Sequence, residues 1–262
     1  MLKVYTQYKL KKMKKSIKYL ALLLAFFVPQ FLSAQDALEI IKKSDEKIRG
    51  ISSYSEIKMT ILRPDWSREI EMKAWSKGTE YSLIVVTAPS REKGTAFLKR
   101  ENEIWNWQPT IDRVIKLPPS MMMQSWMGSD FKNDDLVKES SIVVDYSHEL
   151  IGSETIEGME CYKIGLIPKE DAPVVWGRIV TWIDKEEYIQ LKTEFYDEDD
   201  FLVNTMIGKD IMEMGGKVIA TTMEIIPEEE PENKTILNYS DLQFDIPVED
   251  RMFSVNYMKR IK

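Results

Sequence analysis

The sequence is poor in two side chains that often build crosslinks and metal sites: it has one cysteine, Cys161, and one histidine, His148. A single cysteine excludes any internal disulfide bond. Because free cysteine is usually buried, Cys161 is predicted to be a small core residue rather than a reactive thiol. A lone histidine lacks the partners that a catalytic triad or a zinc site requires, so His148 is expected to be structural or exposed.

Sequence motifs of catalysis are missing as well. The chain has no His-Glu-x-x-His zinc motif, no Gly-x-Ser-x-Gly nucleophile motif and no glycine-rich phosphate loop. Gly128-Ser129-Asp130 contains a serine, but it lacks the second glycine and a preceding strand, so Ser129 is expected to cap a turn. These absences argue against a lipid hydrolase and predict a protein with no enzymatic activity, cofactor or metal site.

Acidic residues are absent from the first 34 residues, which hold seven lysines. An apolar run from Tyr19 to Leu32 follows the lysines, and Ser33-Ala34-Gln35 then offers small residues for cleavage. This order is typical of a secretory signal peptide, here residues 1–34, and it predicts a periplasmic protein cleaved near Ala34. A retained membrane anchor is the alternative, and translation could start at Met1 or Met13. Since the cleavage site has no cysteine, the protein is not expected to be lipid-modified itself.

Positive charge is scarce in the remainder. The whole chain has a net charge of −7, and removing seven lysines with the signal peptide takes it to −14. Such a surface repels nucleic acid and anionic membranes, so neither is an expected partner. Residues 35–262 show no internal repeat and no linker, and they are predicted to form a single domain.

The mature chain is predicted to be mainly β. An amphipathic helix is expected over Asp36–Arg49, ended by Gly50, and period-2 alternation follows it. About ten antiparallel strands are expected, with hairpin turns at Arg63-Pro64-Asp65 and Gly215-Gly216. The remaining expectations are short helices over Met121–Met127 and Asp134–Glu139, a strand over Ser141–Tyr146 and an irregular tail from Pro247.

The β region is rich in tryptophan and methionine, which suit either an ordinary core or an apolar ligand cavity. Met121, Met122 and Met123 are consecutive, so one helix face cannot bury all three. At least one of them is expected to point outward or into a cavity, where a methionine-rich helix could act as a movable plug.

Several stretches of the sequence belong to one recognisable pattern. They are Gly94–Leu98, Trp105–Pro109, Arg113–Ile115, Met122-Met123, Trp126–Phe131 and Asp134–Leu136, followed by Trp182–Asp184 and Leu191–Asp197. The pattern resembles the LolA-like family of outer-membrane lipoprotein-sorting proteins. The likeness covers essentially the whole mature chain and is most specific over residues 94–136.

The resemblance implies an unclosed antiparallel β-barrel, a curved sheet with an N-terminal helix and short helices over its concave face. It also implies a hydrophobic cavity that carries acyl chains, with residues 117–136 as a lid. An arginine is expected to hold the lid by bonding to backbone carbonyls, and Arg63 and Arg68 are the candidates. The predicted cavity and lid residues are Met59, Met72, Phe97, Trp105, Trp107, Met122, Met123, Trp126, Met127, Phe131 and Trp182.

The function implied by this resemblance is that of a monomeric periplasmic carrier for acylated lipoproteins or lipids. Its further partners would be an inner-membrane exporter and an outer-membrane acceptor. A lipid-sensing regulatory module and a lipid-binding accessory of an exporter are the alternatives, and both would use the same fold.

Overall fold

The computed structural model describes residues 29–101, 103–137, 141–170, 172 and 174–261. Most of the predicted signal peptide, residues 1–28, lies outside this range. The N-terminal helix, α1, is confirmed and spans Pro29–Arg49. It begins before Asp36, since no glycine or proline separates Asp36 from Pro29 in the sequence. It ends at Gly50, whose φ of +66° favours glycine.

Thirteen strands within the described ranges form one antiparallel sheet. Each strand pairs with its neighbours in the order β6-β5-β4-β3-β2-β1-β13-β12-β11-β10-β9-β8-β7. The sheet curves without closing and leaves β6 and β7 as its edges, which confirms the predicted unclosed architecture. The strands are β1 Ser52–Arg63, β2 Trp66–Lys77, β3 Tyr81–Ala88, β4 Ala96–Arg100, β5 Glu103–Gln108, β6 Arg113–Lys116, β7 Tyr146–Ile156, β8 Met159–Pro168, β9 Arg178–Asp184, β10 Gln190–Tyr196, β11 Leu202–Met214, β12 Lys217–Pro227 and β13 Lys234–Phe244.

The remaining helices are short. They are α2 Asn133–Val137, α3 Ser141–Val144 and α4 Val255–Met258, with 3-10 turns at Pro109–Ile111, Pro119–Met121 and Asp250–Phe253. None of the helices in the described ranges is long and apolar enough to cross a membrane. Helix α1 packs on one face of the sheet, where Ile40 and Ile41 join Tyr146, Leu166 and Trp176 in a buried cluster. We call this the inner face.

The outer face of the sheet is covered too. Leu83, Leu98 and Trp107 point away from α1 and pack against Phe253 and Met258 of the C-terminal segment. Apolar side chains therefore occupy both faces of β3–β5. The C-terminal segment, from Pro247 onward, is not the irregular tail that the sequence predicted. Burial of Phe253 and Met258 holds it in place.

Three local predictions were wrong. Met121–Met127 is not a helix, because Pro118 and Pro119 start a 3-10 turn and Met127 and Gly128 both have positive φ. The predicted strand over Ser141–Tyr146 is helix α3, and β7 starts only at Tyr146. The described residues form thirteen strands, where about ten were predicted. In contrast, the hairpin turns after Arg63 and at Gly215-Gly216 are confirmed.

Candidate functional site

A cavity of about 330 Å³ lies against the inner face of the sheet, within the size range of small-molecule sites. Its walls come from α1, from strands on both sides of β1 and from the lid segment, which we define as residues 117–136. Most of the lining is aliphatic or aromatic, as with Ile57, Ile84, Leu237, Ile225 and Phe195. Such a lining favours hydrocarbon over water.

The lining changes in polarity along the strands. Ser53 lies opposite Ser76, and Ser76 lies opposite Ser82, so three serines form one row across β1, β2 and β3. Two rows further along β1, Ile57 lies opposite Met72. We call the region around the serine row the serine end and the region beneath the lid segment the lid end.

The lid segment is anchored through an aromatic side chain. Trp126 is buried and packs edge-to-face on Phe97, with ring centres 5.5 Å apart. Met59, Ile70 and Met72 complete the cluster beneath it. An aromatic residue contributes the largest apolar contact area of any side chain, so Trp126 is the main apolar attachment of the lid to the sheet.

Both candidate arginines reach the lid segment from the first hairpin. Arg63 Nη2 donates to the carbonyl oxygen of Gly128 at 3.3 Å, and its two Nη atoms bond both carboxylate oxygens of Asp130 at 3.0 and 3.2 Å. Arg68 Nη1 donates to the carbonyl oxygen of Met127 at 3.2 Å, and Arg68 also pairs with Glu92. Two guanidinium groups therefore hold consecutive carbonyls at the lid.

Two acidic side chains of α2, Asp134 and Asp135, also line the cavity. Burial raises the pKa of Asp135 from its ordinary 3.8 to about 6, although Lys132 N at 2.7 Å and Trp176 Nε1 at 3.2 Å donate hydrogen bonds to it. The pKa of Tyr146 is raised as well, first by burial and then by the charge of Asp134. This side of the cavity disfavours additional negative charge.

Solved structures share this arrangement of sheet and helices. A DUF1329 family protein from Desulfovibrio piger ATCC 29098 is 26% identical, with a TM-score of 0.80 over 86% of this chain and 99% of its own. An outer membrane lipoprotein-sorting protein domain from Vibrio parahaemolyticus is 26% identical, with a TM-score of 0.78 over 87% and 100%. A LolA superfamily protein from Nitrosomonas europaea shares the fold at 23% identity, with a TM-score of 0.72 over 84% and 98%.

Residues 78–260 match the model of a protein family whose description reads "uncharacterized protein". The chain belongs to that family, and its fold is LolA-like. The resemblance that the sequence motifs indicated is thereby confirmed. No curated protein sequence matches this LolA-like chain.

Three of the predicted site residues of this LolA-like chain line the cavity: Met72, Trp126 and Phe131. Met59, Phe97 and Met127 lie beside them, in the packed cluster that supports Trp126. The structure therefore brings six of the predicted residues together at the lid end.

The other predicted residues lie elsewhere. Trp105 and Trp107 pack on the outer face with the C-terminal segment, and Met122 packs against Ile104 and Leu117. Met123 is 54% exposed, which agrees with the expectation that one of the three methionines points outward.

Trp182 is also on the outer face, because its neighbours Thr181 and Ile183 point into the cavity. Its Nε1 donates to Glu154 Oε2 at 2.8 Å, and the ammonium groups of Lys163 and Lys192 lie 4.7 and 4.5 Å from its ring centre. An apolar side chain in a strand cannot be assigned to a face when both faces are covered, and Trp182 is such a case.

The sequence did not single out most of the residues that line the cavity. The aliphatic lining residues Ile57, Ile84 and Leu237 resemble ordinary strand residues in the sequence, and only their register with the serine row distinguishes them. The described residues hold no group of three or more potential metal ligands. Cys161 is fully buried, as predicted, and His148 Nε2 lies 2.6 Å from the carbonyl oxygen of Ile142.

Proposed function

We propose that this chain is a periplasmic carrier that encloses the acyl chains of lipoproteins or lipids for sorting to the outer membrane. The observation that carries the proposal is the apolar cavity between the curved sheet and a lid segment held by Arg63 and Arg68. The 26% identity with a lipoprotein-sorting domain over its whole length supports the same role.

Burial of hydrocarbon supplies the binding energy for this role. Each methylene group moved from water into the cavity contributes roughly 0.8 kcal/mol, so a long acyl chain binds without any charged contact. Release then requires the lid to open, which breaks the hydrogen bonds of Arg63 and Arg68 and separates Trp126 from Phe97. No covalent step is needed, and the proposed carrier is not an enzyme.

Binding of an apolar fluorescent dye tests the proposal. The purified protein is expected to increase the fluorescence of the dye, and an acylated lipoprotein is expected to displace it. Ala74 lines the cavity, so Ala74→Phe should reduce dye binding by filling space, whereas Thr155→Phe on the exposed part of β7 should not. Failure of the well-folded wild type to bind dye or lipoprotein would refute the carrier role.

We also propose that residues 1–34 are a cleaved signal peptide and that residues 35–262 form one domain, which is exported to the periplasm. Mass spectrometry of the protein recovered from a periplasmic extract is expected to give a chain that begins near Gln35. A full-length chain that stays with the inner membrane would support the alternative of a retained anchor.

A further inference from the structure

Two serine side chains at the serine end face the cavity. Ser44 on α1 and Ser55 on β1 both line it, and each residue is only 6% exposed. Within the part of the chain that the structure describes, no hydrogen bond joins either hydroxyl to another protein group, and neither hydroxyl is sealed from the cavity. Because polar groups in a protein interior are nearly always paired, these two hydroxyls are expected to bond to whatever fills the cavity.

Further hydrogen-bonding groups surround these two serines. Ser53 and Ser76 bond to each other at 2.6 Å, and Ser82 follows them in the same row. The lid end offers no such row, since Met72, Ile84 and Trp126 approach the cavity there. The cavity is therefore amphiphilic, with hydroxyl groups at one end and hydrocarbon at the other.

The charges of the lining select against an anionic head group. Arg49 is the one cation among the described lining residues, and it pairs with Asp45 at 2.7 Å, with both side chains buried. Asp134 and Asp135 line the cavity as well, so acidic side chains outnumber the cation in the described lining. A carboxylate or phosphate placed in this cavity would meet an excess of negative charge, whereas an uncharged polar head would not.

A second cavity gives a polar head room to extend. It has a volume of about 360 Å³ and shares Asp45 and Arg49 with the first cavity. Its other walls include the polar or small residues Lys42, Gly78 and Thr79, and the aliphatic residues Val143 and Val144. The two cavities adjoin at the Arg49–Asp45 pair, beside the serine end.

We infer that the ligand is an amphiphile with an uncharged, oxygen-rich head, such as an acyl ester of glycerol. Its head binds the hydroxyls of Ser44 and Ser55, and its acyl chain extends toward Trp126. The inference rests on the proposed function, because it takes for granted that an acyl chain occupies the cavity.

Three competitors with the same eighteen-carbon chain test this orientation: 1-monooleoylglycerol, oleate and 1-octadecene. Each competitor is titrated against an apolar dye bound to the purified full chain, and the displacement of the dye is measured. The glycerol ester is expected to bind most tightly, because hydrocarbon cannot bond to the serines and oleate carries the disfavoured charge. Equal displacement by all three, or tightest binding of oleate, would overturn the inference while leaving the carrier proposal intact. Absence of dye binding would overturn both.

Removal of the hydroxyls supplies the decisive contrast. Ser44→Ala and Ser55→Ala should each weaken binding of the glycerol ester roughly two- to tenfold, the usual range for one hydrogen bond, and leave 1-octadecene unchanged. Ser67→Ala, on the exposed part of β2, is the matched control and should change neither. A variant that loses both competitors equally, or neither, would show that the serines do not bind a head group.

Discussion

Arg63 and Asp130 form a two-pronged ion pair between the first hairpin and the lid segment, with N–O distances of 3.0 and 3.2 Å. The pair is reinforced from β13, where Thr235 Oγ1 donates to Asp130 Oδ2 at 2.7 Å and accepts from Asp130 N at 3.0 Å. Both charged side chains are mostly buried, so solvent screens the pair weakly. The pair is therefore a buried polar link that holds the lid segment closed.

Loss of the arginine should open the lid. In Arg63→Met the carboxylate of Asp130 stays buried without its cation. This lowers the free energy that favours the closed over the open lid by about 1.5–3 kcal/mol. We expect faster hydrogen exchange of the amides of residues 126–131 and faster entry of an apolar dye. Arg63→Lys keeps the charge but cannot form both bonds, so its exchange rate should lie between those of the wild type and Arg63→Met. Unchanged exchange in Arg63→Met would show that the pair does not hold the lid.

The architecture could be predicted from the sequence much better than the site. Alternation along Ile57–Ile61 and the turn after Arg63 fix a hairpin by local chemistry alone, and the structure confirms it. Arg63 and Arg68 could be proposed as lid residues because the family resemblance implies an arginine that bonds to backbone carbonyls of the lid. The conformation of the lid segment was not predictable in this way, since its methionines suggested a helix where Pro119 and Gly128 impose turns.

The cavity lining was harder to predict because it depends on long-range register. Ser53 and Ser76 share one hairpin, but Ile57 lies beside Tyr239 on the cavity lining only because β1 pairs with β13, far along the chain. Ser44 reaches the same place from α1, through helix packing that no strand pattern reports. In the sequence, such polar residues cannot be distinguished from surface residues. They can be assigned to the cavity only when the segments that cover the two faces of the sheet are known.

The C-terminal segment should stabilise the fold without contributing to binding. Phe253 is buried on the outer face, with its ring centre 5.6 Å from that of Tyr81. Phe253→Ala is expected to lower the free energy of unfolding by about 3–5 kcal/mol, the usual cost of truncating a buried aromatic residue. Dye affinity of the folded fraction should not change. A reduced affinity at full folding would mean that the outer layer shapes the cavity.

Asp135 should make stability depend on pH in a narrow window. Its pKa is about 6 in the folded protein and 3.8 ordinarily, so the folded state holds a proton that the unfolded chain releases. The stability that this proton provides is complete below about pH 4 and is lost as the pH rises through 6. Asp135→Asn should therefore be more stable than the wild type at pH 7.5, by up to roughly 3 kcal/mol.

Denaturant unfolding at several pH values measures this effect. The difference between the wild type and Asp135→Asn should shrink as the pH falls from 7 to 4. The exposed Asp199 serves as control, since Asp199→Asn should leave the pH dependence of the wild type in place. The raised pKa would be contradicted if the stability of the wild type increased as the pH rises from 4 to 7 while the stability of Asp135→Asn stayed constant.

Two buried tryptophans provide a matched comparison between the faces of the sheet. Trp126 and Trp182 are 3% and 2% exposed, so Trp→Ala at either position should cost about 3–5 kcal/mol of unfolding free energy. Only Trp126 lines the cavity and holds the lid against Phe97. At a temperature where both variants are folded, Trp126→Ala should therefore change dye affinity and the rate of dye entry, and Trp182→Ala should change neither. Equal binding defects in the two variants would mean that lost stability, rather than the lid contact, controls uptake.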